Sequence, residues 1–155
     1  MTSTATGADD LDAAATEGVA SLLTAPEAGV ADRAEQADAT LVGAADGDRL
    51  GSALSGGDLD GDDTDDLVLG GYRADLPDGS MGAAWIFYGP LASGTTLADA
   101  DARIAGPAAG DQLAYALDVG GDPNDDGFAD LVLGGYGADP VGSYSGAAWL
   151  FYGGP

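Results

Sequence analysis

A nine-residue acidic segment occurs twice in this chain, 64 positions apart. Asp58-Leu59-Asp60-Gly61-Asp62-Asp63-Thr64-Asp65-Asp66 runs into Leu67-Val68-Leu69-Gly70-Gly71, and Asp122-Pro123-Asn124-Asp125-Asp126-Gly127-Phe128-Ala129-Asp130 runs into the same Leu-Val-Leu-Gly-Gly at 131–135. A chain that repeats at this interval is built from like supersecondary units, none of which buries its apolar face without a neighbour.

The repeat extends well beyond these segments. Ala39-Thr40-Leu41-Val42-Gly43 is echoed by Ala102-Arg103-Ile104-Ala105-Gly106, and Gly47-Asp48-Arg49-Leu50-Gly51 by Gly110-Asp111-Gln112-Leu113-Ala114. Gly82-Ala83-Ala84-Trp85-Ile86-Phe87-Tyr88-Gly89 returns as Gly146-Ala147-Ala148-Trp149-Leu150-Phe151-Tyr152-Gly153. Each unit thus holds about four short strands between Gly/Asp/Pro turns, the content of one propeller blade. The expected fold class is all-β: propeller-type blades of four antiparallel strands, two recognisable ones in an open array. Leu67 to Leu69 and Trp85 to Tyr88 are apolar without alternation, so both faces of the sheet need cover, as in stacked blades.

Within the acidic segments, side-chain oxygens stand at positions 1, 3, 5 and 9: Asp58, Asp60, Asp62 and Asp66, then Asp122, Asn124, Asp126 and Asp130. With one backbone carbonyl near position 7, such a loop encloses a hard cation that takes roughly 6–8 oxygens. Calcium is the expected ion. As a plain solvated turn the first copy fares poorly, because six carboxylates in nine residues repel one another unless a cation or water intervenes. An EF-hand is a poor fit, since its loop needs a bidentate Glu at position 12, occupied here by Leu69 and Leu133, and helices on either side.

Composition narrows the partners. With 27 acidic residues against four arginines and no lysine, the formal charge is −23, which disfavours nucleic acid and anionic membranes and favours divalent cations. All but three of the acidic residues are Asp, a bias that suits metal loops and turns more than helix surfaces. The chain has neither cysteine nor histidine, which removes disulfides, zinc-finger sites, thiol catalysis and histidine-based mechanisms. No apolar run approaches the ~20 residues of a membrane helix, and Met1 to Gly7 lacks the basic start and apolar core of a signal peptide. Export information is therefore expected outside this chain, or the chain is a mature segment.

Residues 1–37 form a separate N-terminal segment with two readings. Asp10 is placed to cap a helix over Leu11 to Leu23, with Leu11, Ala15, Val19 and Leu22 on one face, although Gly18 interrupts it. Alternatively the segment is a worn partial repeat, because Gly7, Gly18, Ala20 and Pro26 lie 64 residues before Gly71, Gly82, Ala84 and Pro90.

Residues 38–155 resemble the FG-GAP repeats of the integrin α-subunit β-propeller and its bacterial relatives, in which a D-x-[DN]-x-D-G-x-x-D loop leads into a D-L-[LV]-[LV]-G strand. The resemblance implies one calcium ion per loop, held by Asp58, Asp60, Asp62, the Thr64 carbonyl and Asp66, and by Asp122, Asn124, Asp126, the Phe128 carbonyl and Asp130. Two departures stand out. Asp63 occupies the motif's glycine position, where aspartate tolerates left-handed backbone with some strain, and the Phe-Gly of the repeat start has become Leu50-Gly51 and Leu113-Ala114.

Two blades do not close a ring, so Trp85, Trp149 and their aromatic neighbours are expected to be exposed in an isolated chain. The family's strand order makes 39–43 the outer strand of a preceding blade, while the second blade, with strands at 112–119, 130–135 and 146–152, stops before its own outer strand. One spare strand and one vacancy are complementary. The expected protein is therefore a non-enzymatic, calcium-binding structural or adhesive repeat protein, extracellular or at the cell surface. It would assemble head-to-tail into a filament or ring by completing blades between copies. The alternative is a piece of a larger propeller, acting as a protein- or glycan-recognition module or an accessory domain of a secreted hydrolase through loops Arg73 to Met81 and Asp139 to Ser145. Asp48 and Asp111 are read as turn or capping residues. Nucleic-acid binding and membrane insertion are not expected.

Overall fold

A computed structural model describes residues 19–22, 37–77 and 81–155. Three antiparallel sheets are present among the described residues. Strand β1 (Val19–Leu22) pairs with β2 (Ala39–Val42). Next come β3 (Leu50–Gly57), β4 (Asp66–Asp75), β5 (Met81–Phe87) and β6 (Ala102–Ala105), a four-stranded meander in chain order that we call blade 1. Last are β7 (Ala116–Val119), β8 (Leu131–Gly135) and β9 (Ala147–Phe151), the three-stranded blade 2. The two blades share a register: Leu69 faces Trp85 across β4 and β5, and Leu133 faces Trp149 across β8 and β9.

The meander follows from short apolar runs broken by turn residues, which leave no length for a crossover connection. Its central strands, β4 and β5, are buried on both faces over their apolar runs, as that unbroken apolarity requires, while β3 and β6 are partly exposed. One face of blade 1, with Val68, Ala84 and Ile86, packs against Leu113, Val119, Leu131 and Leu133 of blade 2. The opposite face, with Leu50, Leu69, Ala83, Trp85 and Phe87, packs against Leu41 of β2. Ser55 ties the blades together on the inner strands: its Oγ accepts from the Val119 amide (3.0 Å) and donates to Asp118 (3.3 Å). Tyr72, Tyr115 and Tyr136 continue the junction as two edge-to-face ring pairs.

Four expectations are corrected. Val19–Leu22, the end of the expected helix over Leu11 to Leu23, is strand; the rest of that helix lies outside the described residues. The physical reason is tertiary pairing: Val19 opposite Val42 and Leu22 opposite Ala39 reproduce the β5–β6 register, Ala83 opposite Ala105 and Ile86 opposite Ala102. That register is the partial-repeat reading, and it overrides a weak local helix preference. For the same reason 39–43 is not a spare strand, since β2 is already held by β1. The strand expected at 112–119 shrinks to β7, because Gln112 and Ala114 both take positive φ (54° and 61°), which an extended strand does not contain. Trp85 is buried rather than exposed, under Leu41 and Leu97, and Trp149 is partly covered.

Candidate metal centre

The acidic segments form the loops between the first two strands of each blade, β3 to β4 and β7 to β8. In both loops the carboxylate at position 1 shapes the backbone. Asp58 accepts from the amides of Gly61 (2.7 Å), Asp62 (3.1 Å) and Asp63 (3.0 Å). Asp122 accepts from Asp126 (2.9 Å) and Gly127 (2.7 Å). The position-5 carboxylate then receives the amide at position 7: Asp62 from Thr64 (2.7 Å) and Asp126 from Phe128 (3.0 Å). This winding requires left-handed backbone at positions 4 and 6. The two loops meet that need with the same two residue types in opposite order, Gly61 (φ 79°) and Asp63 (φ 68°) against Asp125 (φ 60°) and Gly127 (φ 92°). The strain expected at Asp63 is thus real, and Asp125 carries its match.

Position 9 ends the loop inside the protein. Asp66 and Asp130 are both buried, and each accepts from the amide of the glycine that follows β5 or β9: Gly89 to Asp66 and Gly153 to Asp130, both 2.9 Å. The second oxygens differ. Asp66 Oδ2 accepts from the Leu59 amide at 2.8 Å. The residue equivalent to Leu59 is Pro123, which has no N–H, and Asp130 Oδ2 is buried without any hydrogen-bond donor. A buried carboxylate oxygen left unpaired costs several kcal/mol unless a cation or proton meets it.

In the first loop Asp58, Asp60 and Asp66 each present a carboxylate oxygen, all three within 4.8 Å of one another, and these residues could hold a metal ion. Asp62 stands outside that trio. In the second loop Asp122, Asp126 and Asp130 do not converge to the same degree, and the Asn124 side-chain amide donates to Asp126 at 2.6 Å. The electrostatics of the trio show at Asp60. Its carboxyl is pushed above the usual range by desolvation and by repulsion from Asp62, Asp66 and Asp58, against the lowering effect of the Asp62 amide. A divalent cation would reverse this balance by favouring every charged form at once.

Two features of the site were not read from sequence. The Phe128 ring lies directly over Gly61, in the space a β-carbon there would need, so the second loop's position 7 closes over the first loop. The first loop's backbone is also bound to blade 2: Asp58 O accepts from the Ala129 amide (3.3 Å) and Leu59 O from the Gly154 amide (2.8 Å). The acidic loop of blade 1 is therefore part of the blade junction. Gly61 at position 4 of the first loop, with an aromatic at position 7 of the next unit's loop, was the available signal. Asp48 and Asp111 are the turn residues expected of them, each buried and accepting from the amide three residues upstream, Ala45 (2.9 Å) and Ala108 (2.8 Å). Neither protein-family models nor curated proteins match the chain.

Proposed function

We propose that this chain is a calcium-stabilised blade-repeat protein of the FG-GAP type, without catalytic activity, that serves outside the cell as an adhesive or structural building block. The observation that carries the reading is Asp130 Oδ2, a fully buried carboxylate oxygen at the ninth position of an acidic loop, deprived by Pro123 of the donor its counterpart has. Convergence of Asp58, Asp60 and Asp66 supports the same reading in the first loop.

The donor set selects the ion class. Carboxylates, an Asn amide and backbone carbonyls are hard oxygen ligands, and a chain without His or Cys offers softer metals neither imidazole nor thiolate. Flexible acidic loops with many oxygens suit calcium better than magnesium, which insists on a small octahedron and keeps its waters. The first loop would use Asp58, Asp60, Asp62, Thr64 O and Asp66; the second would use Asp122, Asn124, Asp126, Phe128 O and Asp130. Because these ligands join β3 to β4 and β7 to β8, binding free energy becomes stability of the blades. Extracellular calcium is abundant enough to fill such loops, which is the reason for placing the protein there.

Calorimetric titration with calcium, paired with thermal unfolding in calcium and in chelator, tests this. Saturation near 100 times Kd is expected to stabilise the chain by about 2.7 kcal/mol per site. Unchanged melting between micromolar and ~10 mM calcium would sink the proposal. A second reading, recognition of a protein or glycan, draws on the 139–145 loop. Val141 and Tyr144 project there into solvent, Tyr144 at φ 54° with its amide bonded to Asp139. Loss of ligand binding in Tyr144→Ala with unchanged stability and mass would favour that reading.

A further inference from the structure

Three of the chain's six tyrosines meet at the blade junction. Tyr72 and Tyr136 are repeat equivalents, each directly after a Gly-Gly pair, the first within β4 and the second just past β8. Tyr115 has no such counterpart, because the first unit carries Ser52 at that place. It stands between the other two. Its ring centroid lies 5.2 Å from that of Tyr72 in blade 1 and 4.6 Å from that of Tyr136 in blade 2, edge to face in both pairs.

The backbone fixes this arrangement. Tyr115 donates its amide to Gly134 O (3.1 Å), which ties it to β8, and the preceding Ala114 is packed against Gly70, where a β-carbon would come within 2.6 Å of Ala114 O. The rings themselves reach solvent. Tyr115 and Tyr136 are 52% and 47% exposed and Tyr72 is partly so, and exposed side chains change rotamer on the picosecond-to-nanosecond scale. Exposure alone does not set these three apart. Tyr88, Tyr144 and Tyr152 are 41%, 71% and 62% exposed, and none of them has a ring partner among the described residues.

We propose that the trio is an oxidative cross-linking site, at which Tyr115 couples to Tyr72 or to Tyr136 to form dityrosine. The co-reactant is a peroxide acting through a one-electron oxidant of the haem-peroxidase class. Each of two phenols loses one electron and one proton, the two phenoxyl radicals join through ring carbons ortho to oxygen, and the hydrogens on those carbons move to the oxygens to restore both phenols. The peroxide takes up the two electrons and two protons and leaves as two waters. Proximity selects the pair. A radical on Tyr115 has a second phenol held beside it by the fold, a local concentration that encounters between separate chains do not match, and at a charge of −23 per copy those encounters are slowed by repulsion. The Tyr72–Tyr115 product joins blade 1 to blade 2 covalently, as a disulfide would in a chain that had cysteine. The site is independent of the calcium reading, since none of its residues belongs to an acidic loop.

Oxidation of the full chain with peroxidase and hydrogen peroxide, at low micromolar protein, tests this. The expected product has monomer mass less two hydrogens, shows dityrosine fluorescence and forms in a yield unchanged by dilution, and peptide mapping places the bond at Tyr115. Tyr115→Phe keeps the ring but removes the phenol, and is expected to lose that product. Tyr72→Phe should retain the Tyr115–Tyr136 bond alone, and Tyr136→Phe the Tyr72–Tyr115 bond alone. Combining Tyr88→Phe, Tyr144→Phe and Tyr152→Phe should leave the yield unchanged. Dityrosine confined to dimers and larger species, a monomer-mass cross-link that survives Tyr115→Phe, or no dityrosine at all overturns the proposal. Should Tyr115→Phe lose the circular dichroism of the folded chain, the peptide map of the unmodified protein decides, and a bond that excludes Tyr115 overturns the proposal.

Discussion

Blade 1 and blade 2 share a sequence pattern and differ in burial. Val68 is sealed where Val132 is 40% exposed, and Ile86 is sealed where Leu150 is 44% exposed. Phe87 and Phe151 part in the same way. Among the described residues, blade 1 has a sheet on either side and a fourth strand at its edge, whereas blade 2 has one neighbour and three strands. An apolar residue in a repeat states a requirement for cover; whether cover exists depends on its place in the array.

Paired substitutions at equivalent positions test this contrast. The largest difference is expected for Ile86→Asp against Leu150→Asp. The first places an unpaired charge in the blade junction and costs about 4 kcal/mol or more, while the second costs under ~1 kcal/mol in the isolated chain. Urea unfolding measures both, and equal losses would mean that blade 2 is covered in solution. Next is Asp66→Asn against Asp130→Asn in chelator. Asp66 accepts two amides, so an amide there opposes donor to donor and costs about 2 kcal/mol. Asp130 accepts one, and neutralising its unpaired oxygen is expected to leave the metal-free chain unchanged or more stable, while removing calcium stabilisation from blade 2.

Gly70→Ala against Gly134→Ala follows. A β-carbon on Gly70 would lie 2.6 Å from Ala114 O across the junction, while one on Gly134 would sit 3.6 Å from its nearest neighbour. A loss of about 1–3 kcal/mol is expected for the first and little change for the second, by thermal melting. The smallest effect is a pH dependence with two signs. Asp99, held below its usual range by hydrogen bonds from the Thr96 hydroxyl and amide, stabilises the fold above the ordinary value near 3.8, and that contribution is lost as pH falls through its lowered value. Asp60 has the opposite sign in the metal-free chain: its raised carboxyl disfavours the fold when charged, and stability returns as pH falls from its raised value to 3.8. Asp99→Asn should flatten the acid limb. Asp60→Asn should stabilise the chelated protein and weaken it relative to wild type once calcium is added.

Much of the architecture was legible because it is written twice. The Leu-Val-Leu-Gly-Gly and Gly-Ala-Ala-Trp runs located β5, β8, β9 and the start of β4 to within about two residues, although β4 runs on to Asp75, and the acidic spacing placed the loops between the first two strands. The N-terminal strand was half legible: Gly18 and Ala20 held the repeat, yet helical spacing of Val19 and Leu22 competed, and only pairing with β2 decides between them. The start of β7 was misread because an apolar run does not reveal that Gln112 and Ala114 turn left-handed.

At the loops, sequence alone determined which residues carry oxygen and at what spacing, since a ligand set is a property of side-chain type and order. It also contained Pro123, whose missing N–H is covalent fact. Tertiary structure decided the consequences. It brought Asp58, Asp60 and Asp66 within reach of one another while leaving Asp62 aside, and it buried Asp130 with one oxygen unmet. It also laid Phe128 across Gly61 so that one blade closes the other's loop. The Phe128–Gly61 closure joins segments far apart in the chain, and all three outcomes are set by how the loops wind, how sheets stack and which backbone amides fall beside which carboxylates, none of which residue type and spacing alone record.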